Sequence, residues 1–461
     1  MTDDPSPQAS QKDLDALIIG GGVTGLTVAS ALAREGRRVQ VLEKAPRLGG
    51  AVQSDFKEGF LCEAGPNSML VKSEAVWQFI EELGLADDRQ EANQAADKRF
   101  LVKDGRLVPL PQSITGGITT PLYNPLQKLR LLGEPFISRS RLNDESVTSF
   151  VSRRMGPAFL EYGISALVSG IFAGDPDRLS IRHGFPKVWN LEQDKGSLIG
   201  GAVRLKRERK RAGIVPWKSR MISFKNGLEE LIEALAATEG LAASTSTEVT
   251  GIRRTEEGRW VIETADSRYT ARHLVLATPL RAHRKLPFAP ELRERLSVIP
   301  DLDYPPLSTL VLGFDRDQIR HPLDGFGVLF PRLEKRFSLG CIFSTTLFPG
   351  RAPEGKVSLM CFIGGVQQPD KGRLDTPELV NKAVEDLRPL LGISGQPAFH
   401  SHAFWPEAIP QYNVGHEAFL AALDDVETAL PGLHIRGNFR GGPGLSDCVD
   451  NSLSFVRSLG D

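Results

Sequence analysis

The chain has 461 residues, of which 41% are apolar and 25% charged, and its net charge is −1. That length predicts two or three domains, and the balance excludes a disordered chain and gives no global attraction to nucleic acid. None of the four cysteines (Cys62, Cys341, Cys361, Cys448) forms a CxxC pair, so neither a zinc site nor a disulfide framework is indicated and no metal is expected.

The opening "MTDDPSPQASQKD" has no apolar h-region and no arginine-rich amphipathic pattern. Residues 1–13 therefore read as a disordered tail, neither signal nor transit peptide. No run of 18 apolar residues occurs, so no membrane-spanning helix is expected, which leaves open a protein lying on a membrane.

"LDALII" from Leu14 reads as a buried parallel strand, "GGGVTG" as a turn with Gly20, Gly22 and Gly25 in GxGxxG spacing, "LTVASALAREG" as a helix, and "RRVQVLE" as a second strand ending at Glu43. Strand, glycines, helix, strand and terminal acid together form a dinucleotide-binding βαβ unit. Gly20 allows the turn, Gly22 admits a pyrophosphate, Gly25 lets the helix pack closely, and Glu43 accepts from a ribose. Residues 73–85 read as an amphipathic helix capped by Ser73, and 98–111 as a hairpin turning at Asp104-Gly105. From about 112 to 218 short helices rich in leucine, proline and basic residues follow, among them "RLKRERKR". A β meander then ends in "HLVLATP", and 282–415 mixes strands with the helix "TPELVNKAVEDLRPLL". A second glycine-rich turn, "GNFRGGPGLSDC", separates the strand "GLHIR" from a last helix.

The residues after Glu43, "KAPRLGG", and the loop "EAGPNSML" resemble the FAD enzymes that include amine oxidases, phytoene desaturases and protoporphyrinogen oxidases. "VSGIFAGDPDRLSI", "FPKVWNLEQDKGSLIGG", "LFPGRAPEG" and "WPEAIPQYNVGH" resemble the protoporphyrinogen oxidases in particular. The resemblance covers nearly the whole chain after the tail. It implies an α/β fold: a discontinuous Rossmann-like FAD-binding domain (14–94, 219–281, 416–461), an α+β substrate domain (95–111, 282–415) and a helical membrane-binding domain (112–218). It implies FAD as cofactor, held by Gly20, Gly21, Gly22, Val23, Thr24, Gly25, Glu43, Lys44, Arg47, Gly49, Gly50 and Ala51, by Ala64, Gly65, Pro66 and Asn67 beside the ring, by Val249 and Trp405, and by Gly437, Pro443, Gly444 and Leu445 of the late turn. Pro443 lacks a backbone donor, so one flavin-facing hydrogen bond is expected to be missing there.

The implied reaction is the six-electron oxidation of protoporphyrinogen IX, with hydride transfer to flavin N5 and O2 as acceptor. The alternatives are an oxygen-dependent coproporphyrinogen III oxidase and, further off, an amine oxidase, a carotenoid desaturase or a non-enzymatic flavoprotein. No second GxGxxG follows a strand, so no nicotinamide site is expected, and no triad or paired carboxylates call for acid–base roles. By resemblance Arg99 pairs with a propionate, Leu323, Leu339 and Phe362 sandwich the macrocycle, and Ala173 and Gly174 touch its pyrroles. His183, His400 and His402 read as structural. Leu122, Leu126, Leu129, Leu131 and Leu132, with the basic run, would face an anionic membrane surface. Expected partners are thus a porphyrinogen, O2, that membrane, a second copy as homodimer and a ferrochelatase, without nucleic acid. The cytoplasmic face of a bacterial membrane, or the cytoplasm, is the expected location.

Overall fold

A computed structural model describes residues 10–460. The first strand, β1, runs Ser10–Ile19 and pairs in parallel with Ser267–Leu276 from its first residue. Residues 10–13 are therefore sheet, because Ser267–Thr270 supply partners for them; the rest of the expected tail lies outside the described residues. Helix α1 (Val23–Arg34) and strand β2 (Val39–Leu42) complete the unit. Its sheet runs, in spatial order, Leu241–Ser244, β2, β1, Ser267–Leu276, Trp260–Thr264 and Val249–Arg254, with Leu433–Ile435 pairing in parallel beside Ser267–Leu276. Three separated stretches of chain thus build one sheet. The helix Leu445–Leu459 that follows packs on α1.

A second sheet orders the strands Phe399–Trp405, Leu307–Asp315, Lys356–Gly364, Gly340–Phe343, Gly327–Leu329, Arg99–Lys103 and Arg106–Pro109. The hairpin of 99–109 turns at Asp104 and Gly105 with φ of 52° and 71°, the double positive φ of a type I′ turn. One face packs on the helix Thr376–Leu391, burying Phe100, Leu310, Leu359, Leu387 and their neighbours. The other face turns toward the first sheet's loops. A small sheet of Met69–Val71, Arg220–Phe224 and Arg89–Glu91 links the two regions.

Between residues 112 and 218 the chain is helical, and its centre is ionic. Arg154 is fully buried; its Nη1 donates to Glu134 Oε1 (2.9 Å) and to the Ile137 carbonyl (2.9 Å), its Nη2 to the Gly196 carbonyl (3.0 Å), and its Nε to Glu192. Glu134 also accepts from the N–H groups of Leu198 (2.8 Å) and Ile199 (3.1 Å) at the start of the helix Leu198–Arg211. An acid at a helix start meets the free N–H groups and the positive end of the dipole. The stretch "NLEQDKGSLIGG" is accounted for by this knot, whose members are satisfied on several sides. Among the described residues no helix is long and apolar enough to cross a membrane.

Candidate functional site

The glycine turn after β1 is shaped by close approaches. A Cβ on Gly25 would lie 2.0 Å from the Gly20 carbonyl oxygen, and one on Gly20 (φ 110°) 2.8 Å from the Ala277 backbone. Gly22 is the exception: a Cβ there would meet nothing within 4 Å. Gly22 is also the N-cap of α1 and offers no capping side chain, so the first-turn N–H groups at Val23 and Thr24 receive no side-chain cap, an arrangement that suits a phosphate. Glu43 Oε2 accepts from the Gly21 N–H (2.7 Å) and Oε1 from the Ala45 N–H (2.8 Å), which fixes the carboxylate and leaves each oxygen a lone pair for a ribose hydroxyl. Thr247, two residues before Val249, donates its N–H to the Glu43 carbonyl at 2.9 Å. Lys44 is exposed and pairs with Glu248 at 2.6 Å.

Gly49 donates to the Gly21 carbonyl at 2.8 Å, and Gly49 and Gly22 form a parallel bridge, so the Gly49–Gly50–Ala51 loop lies against the first turn. A Cβ on Gly65 would sit 2.1 Å from the Ala51 oxygen; this brings Ala64–Gly65–Pro66–Asn67 onto the same surface. The Ala64 carbonyl accepts from Thr309 Oγ1 and from Trp405 Nε1, each at 2.7 Å, which pins the loop to the second sheet. Asn67 is buried and its Oδ1 has no partner among the described residues. A buried acceptor without a donor fits a loop that receives one from a ligand. Arg47 Nη2 pairs with Glu229, which fixes the guanidinium beside the Gly49–Gly50–Ala51 loop.

At the late turn, Gly442 (φ 128°) donates to Tyr412 Oη at 3.0 Å, and Tyr412 Oη donates to the Asn438 carbonyl at 2.6 Å. Gly444 caps the last helix without a side chain. The free N–H groups of that helix belong to Leu445, Ser446 and Asp447. Pro443 precedes the cap, so its missing donor is not one of them. Gly437 and Gly442 each leave no room for a Cβ, with atoms at 2.5 Å and 2.7 Å. An uncapped helix start, an open glycine, an anchored acid and an orphaned acceptor together match the donor and acceptor set of an FAD.

The face of the second sheet nearest Ala64 carries a continuous rung. Thr309 pairs with Phe362, Phe362 with Gly340, Gly340 with Leu329, and Leu329 with Leu101. Directly paired residues share a face, so the rung leads from the Ala64 anchor across Phe362 and Leu329. Arg99, two residues before Leu101, lies on that face too. It is exposed, lies over the Phe326 ring (5.5 Å), and has no carboxylate partner among the described residues. Leu339 packs with Ala173, Leu307 and Phe362. Ala173 closes the helix Ser165–Phe172 in the left-handed region, φ 47°, and its carbonyl accepts from Val366 at 2.8 Å. Gly174 lies against Gln411. Leu323 does not join this group. It is buried in the core on the opposite face, with Phe100 and Val328, and Leu329 takes the position on the rung instead. Alternation along Gly327–Leu329 carried that signal, but only the register shows which leucine faces which way.

A second arrangement escaped the sequence reading altogether. Glu63, directly before the Ala64 loop, is buried; its Oε2 accepts from Ser54 Oγ (2.6 Å) and its Oε1 from the Leu228 N–H (3.0 Å). Ser54 Oγ in turn accepts from the Glu229 N–H (3.1 Å), and Glu229 holds Arg47. Burial pushes the Glu63 carboxyl up to about 7, against the hydrogen bonds and the nearby Arg351. Arg351, of "FPGRAPEG", is equally buried; its Nη2 donates to Ser223 Oγ (2.7 Å) and the Phe224 carbonyl (3.2 Å), while Nε and Nη1 have no partner among the described residues. Two polar residues far apart in sequence leave no pattern that predicts their meeting.

His402 bridges Ser308 Oγ (2.8 Å) and Thr376 Oγ1 (2.9 Å), so both ring nitrogens serve the fold. His183 lies 3.2 Å from Glu417, away from the rung, and His400 is an exposed residue of the outermost strand, Phe399–Trp405. The four cysteines are free and buried, and no metal-binding group of side chains occurs among the described residues.

Residues 23–445 match the flavin containing amine oxidoreductase family. The chain is 31% identical to protoporphyrinogen oxidase 2, chloroplastic/mitochondrial, of Arabidopsis thaliana, over 92% of this chain and 89% of that one. It is 28% identical to the coproporphyrinogen III oxidase of Bacillus subtilis (strain 168), over 95% and 96%. A crystal structure of an Exiguobacterium sp. 255-15 protein, 26% identical, superposes over 98% of this chain and 99% of that one with a TM-score of 0.80. Reduced UDP-galactopyranose mutase, 14% identical, shares the fold with a TM-score of 0.72. The α/β architecture, the FAD-type cradle and these matches agree, and the chain belongs to the flavin containing amine oxidoreductase family, as an FAD-dependent oxidoreductase related to the protoporphyrinogen and coproporphyrinogen oxidases.

Proposed function

We propose that the protein oxidises a porphyrinogen, protoporphyrinogen IX by the weight of its relatives, to the porphyrin. The observation that carries this reading is the rung: an apolar face of Phe362 and Leu329, with Leu339 packed against Phe362, running from the anchored Ala64 loop toward Arg99, which has no carboxylate partner among the described residues. A flat apolar ligand with a carboxylate arm suits such a face. Bound FAD supplies a two-electron acceptor, and three turnovers with O2 would account for six electrons and three peroxides.

The chain's own part is placement. Thr309 and Trp405 hold Ala64, so the loop cannot swing when substrate arrives. Ala173, Leu339 and Phe362 exclude water, and none of them titrates. Arg99 offers a planar two-donor fork to a propionate.

The helical segment supports a second part of the reading, that the protein rests on an anionic lipid surface. Leu126, Leu129, Leu132 and Phe136 are 76%, 63%, 69% and 90% exposed, and Ile118 is 67% exposed. Leu122 is not among them; it is buried against Leu101, Tyr123 and Ala166.

The deciding experiment offers the FAD-loaded protein protoporphyrinogen IX and coproporphyrinogen III under air, following porphyrin fluorescence and peroxide. Formation of porphyrin with about three peroxides per product is expected. Turnover of neither porphyrinogen would overturn the reading.

A further inference from the structure

Leu339 also lines a small cavity of about 40 Å³, together with Ser169, Phe330, Arg332, Lys335, Arg336, Ser338 and Gln368. Three features set it apart. Three cations line it and no carboxylate does. Ser338 is 2% exposed and its Oγ has no partner among the described residues, nor have Arg336 Nε and Gln368 Oε1, both buried. The acids nearby lie outside the lining and meet its cations from behind: Glu161 and Asp177 hold Arg332 at 2.6 Å and 3.0 Å, and Asp386 takes the N–H groups of Phe337 (3.1 Å) and Ser338 (3.2 Å) and lies 3.6 Å from Arg336 Nη1, which leaves Arg336 Nε unpaired among the described residues. Lys335 has no ion pair among the described residues.

A buried hydroxyl and a buried guanidinium N–H without acceptors are costly unless something accepts from them. The volume holds a carboxylate head or a water or two. Phe330 follows Leu329, which pairs with Leu101, whereas Arg99 pairs with Gly327. The cavity and Arg99 therefore lie at two ends of the same strand pair, separated by roughly 10 Å along the strands.

We propose that this cavity is a second carboxylate subsite, in which Arg336 and Ser338 receive a propionate arm of the macrocycle while Arg99 receives another. The proposal rests on the porphyrinogen reading above. It extends the ligand class to tetrapyrroles with propionates on separated rings: coproporphyrinogen III, with one on every ring, can occupy both points, whereas protoporphyrinogen IX carries its two on neighbouring rings.

The test compares the FAD-loaded wild type with Arg336→Met and Ser338→Ala, using coproporphyrin III and its tetramethyl ester as non-reacting probes and the two porphyrinogens as substrates. Arg336→Met is expected to weaken coproporphyrin III binding on the order of tenfold or more, to raise KM for coproporphyrinogen III more than for protoporphyrinogen IX, and to leave kcat, flavin content and ester binding unchanged. Ser338→Ala should show the same pattern more weakly. Equal loss for acid and ester, or no loss in either variant with flavin intact, would overturn the proposal and leave the cavity to bound water. A free carboxylate from solution as the true occupant would show as acetate protecting wild type but not Arg336→Met against heat, with tetrapyrrole binding unaffected, and would equally overturn it. Failure of the porphyrinogen reading itself is distinct, because the wild type would then bind neither acid nor ester.

Discussion

At the scale of single residues, charge placement decides most of what the site can do. Arg99 has no carboxylate partner among the described residues, so Arg99→Ala should raise KM for the porphyrinogen about tenfold or more and leave bound flavin unchanged; steady-state kinetics with an absorbance ratio at the flavin band checks both. Glu63 behaves differently. Its folded value, up to about 7, lies above the ordinary 4.5, so the folded protein holds a proton that the unfolded chain has lost. Its contribution to stability is therefore complete below about 4.5 and falls away as pH rises toward 7, by about 3 kcal/mol. Glu63→Gln should remove this slope, and thermal melts of both proteins between pH 5 and 8 should converge at the acid end and part at the neutral end in favour of the variant. Parallel melting curves across that range would show that Glu63 stays ionised. Residues were also where sequence was least informative: Leu323 and Leu329 are the same amino acid six positions apart, and only strand register separates core from rung.

Elements were far more legible, because their signals are local. Ser73 predicts a helix start and accepts from the Val76 N–H at 3.3 Å; Asp104-Gly105 predicts a hairpin and forms one. The glycine turn is legible for the same reason, and it is brittle. A methyl at Gly25 would meet the Gly20 oxygen at 2.0 Å with no side chain to yield, so Gly25→Ala should cost on the order of 3 kcal/mol and abolish flavin retention, read by melting temperature and by flavin released on heating. The segment Pro125–Leu132 shows the limit of periodicity. Its leucines have helical spacing, yet none of its residues is buried, so the pattern that marks a core face here marks a bare one. Replacing Leu126, Leu129 and Leu132 by serine should leave the melting temperature unchanged and abolish co-sedimentation with vesicles rich in phosphatidylserine.

For the whole molecule, the buried histidines govern acid tolerance. Burial holds His283 and His416 down to about 4 and His434 to about 3. Each lies below the ordinary 6.5, so the unfolded chain takes up protons that the fold refuses. This stability is complete above about 6.5 and is lost as pH falls toward 4, a sign opposite to that of Glu63. Melting temperature should drop between pH 6.5 and 4.5, and His416→Gln should drop less steeply.

The first sheet has one more consequence, in time rather than in space. β1 has β2 on one side, but its other partner ends at Leu276, and the strand beside that partner ends at Ile435. A ribosome adds about 5–20 residues per second, so the open edge of β1 waits for tens of seconds before it is covered, and the turn at Gly437–Leu445 emerges later still. Cofactor capture must therefore follow synthesis rather than accompany it. Until then the nascent chain exposes an apolar parallel strand, the kind of edge that chaperones shield and that aggregates when they do not. Flavin supply during expression should then change the soluble yield of this protein more than its rate of synthesis.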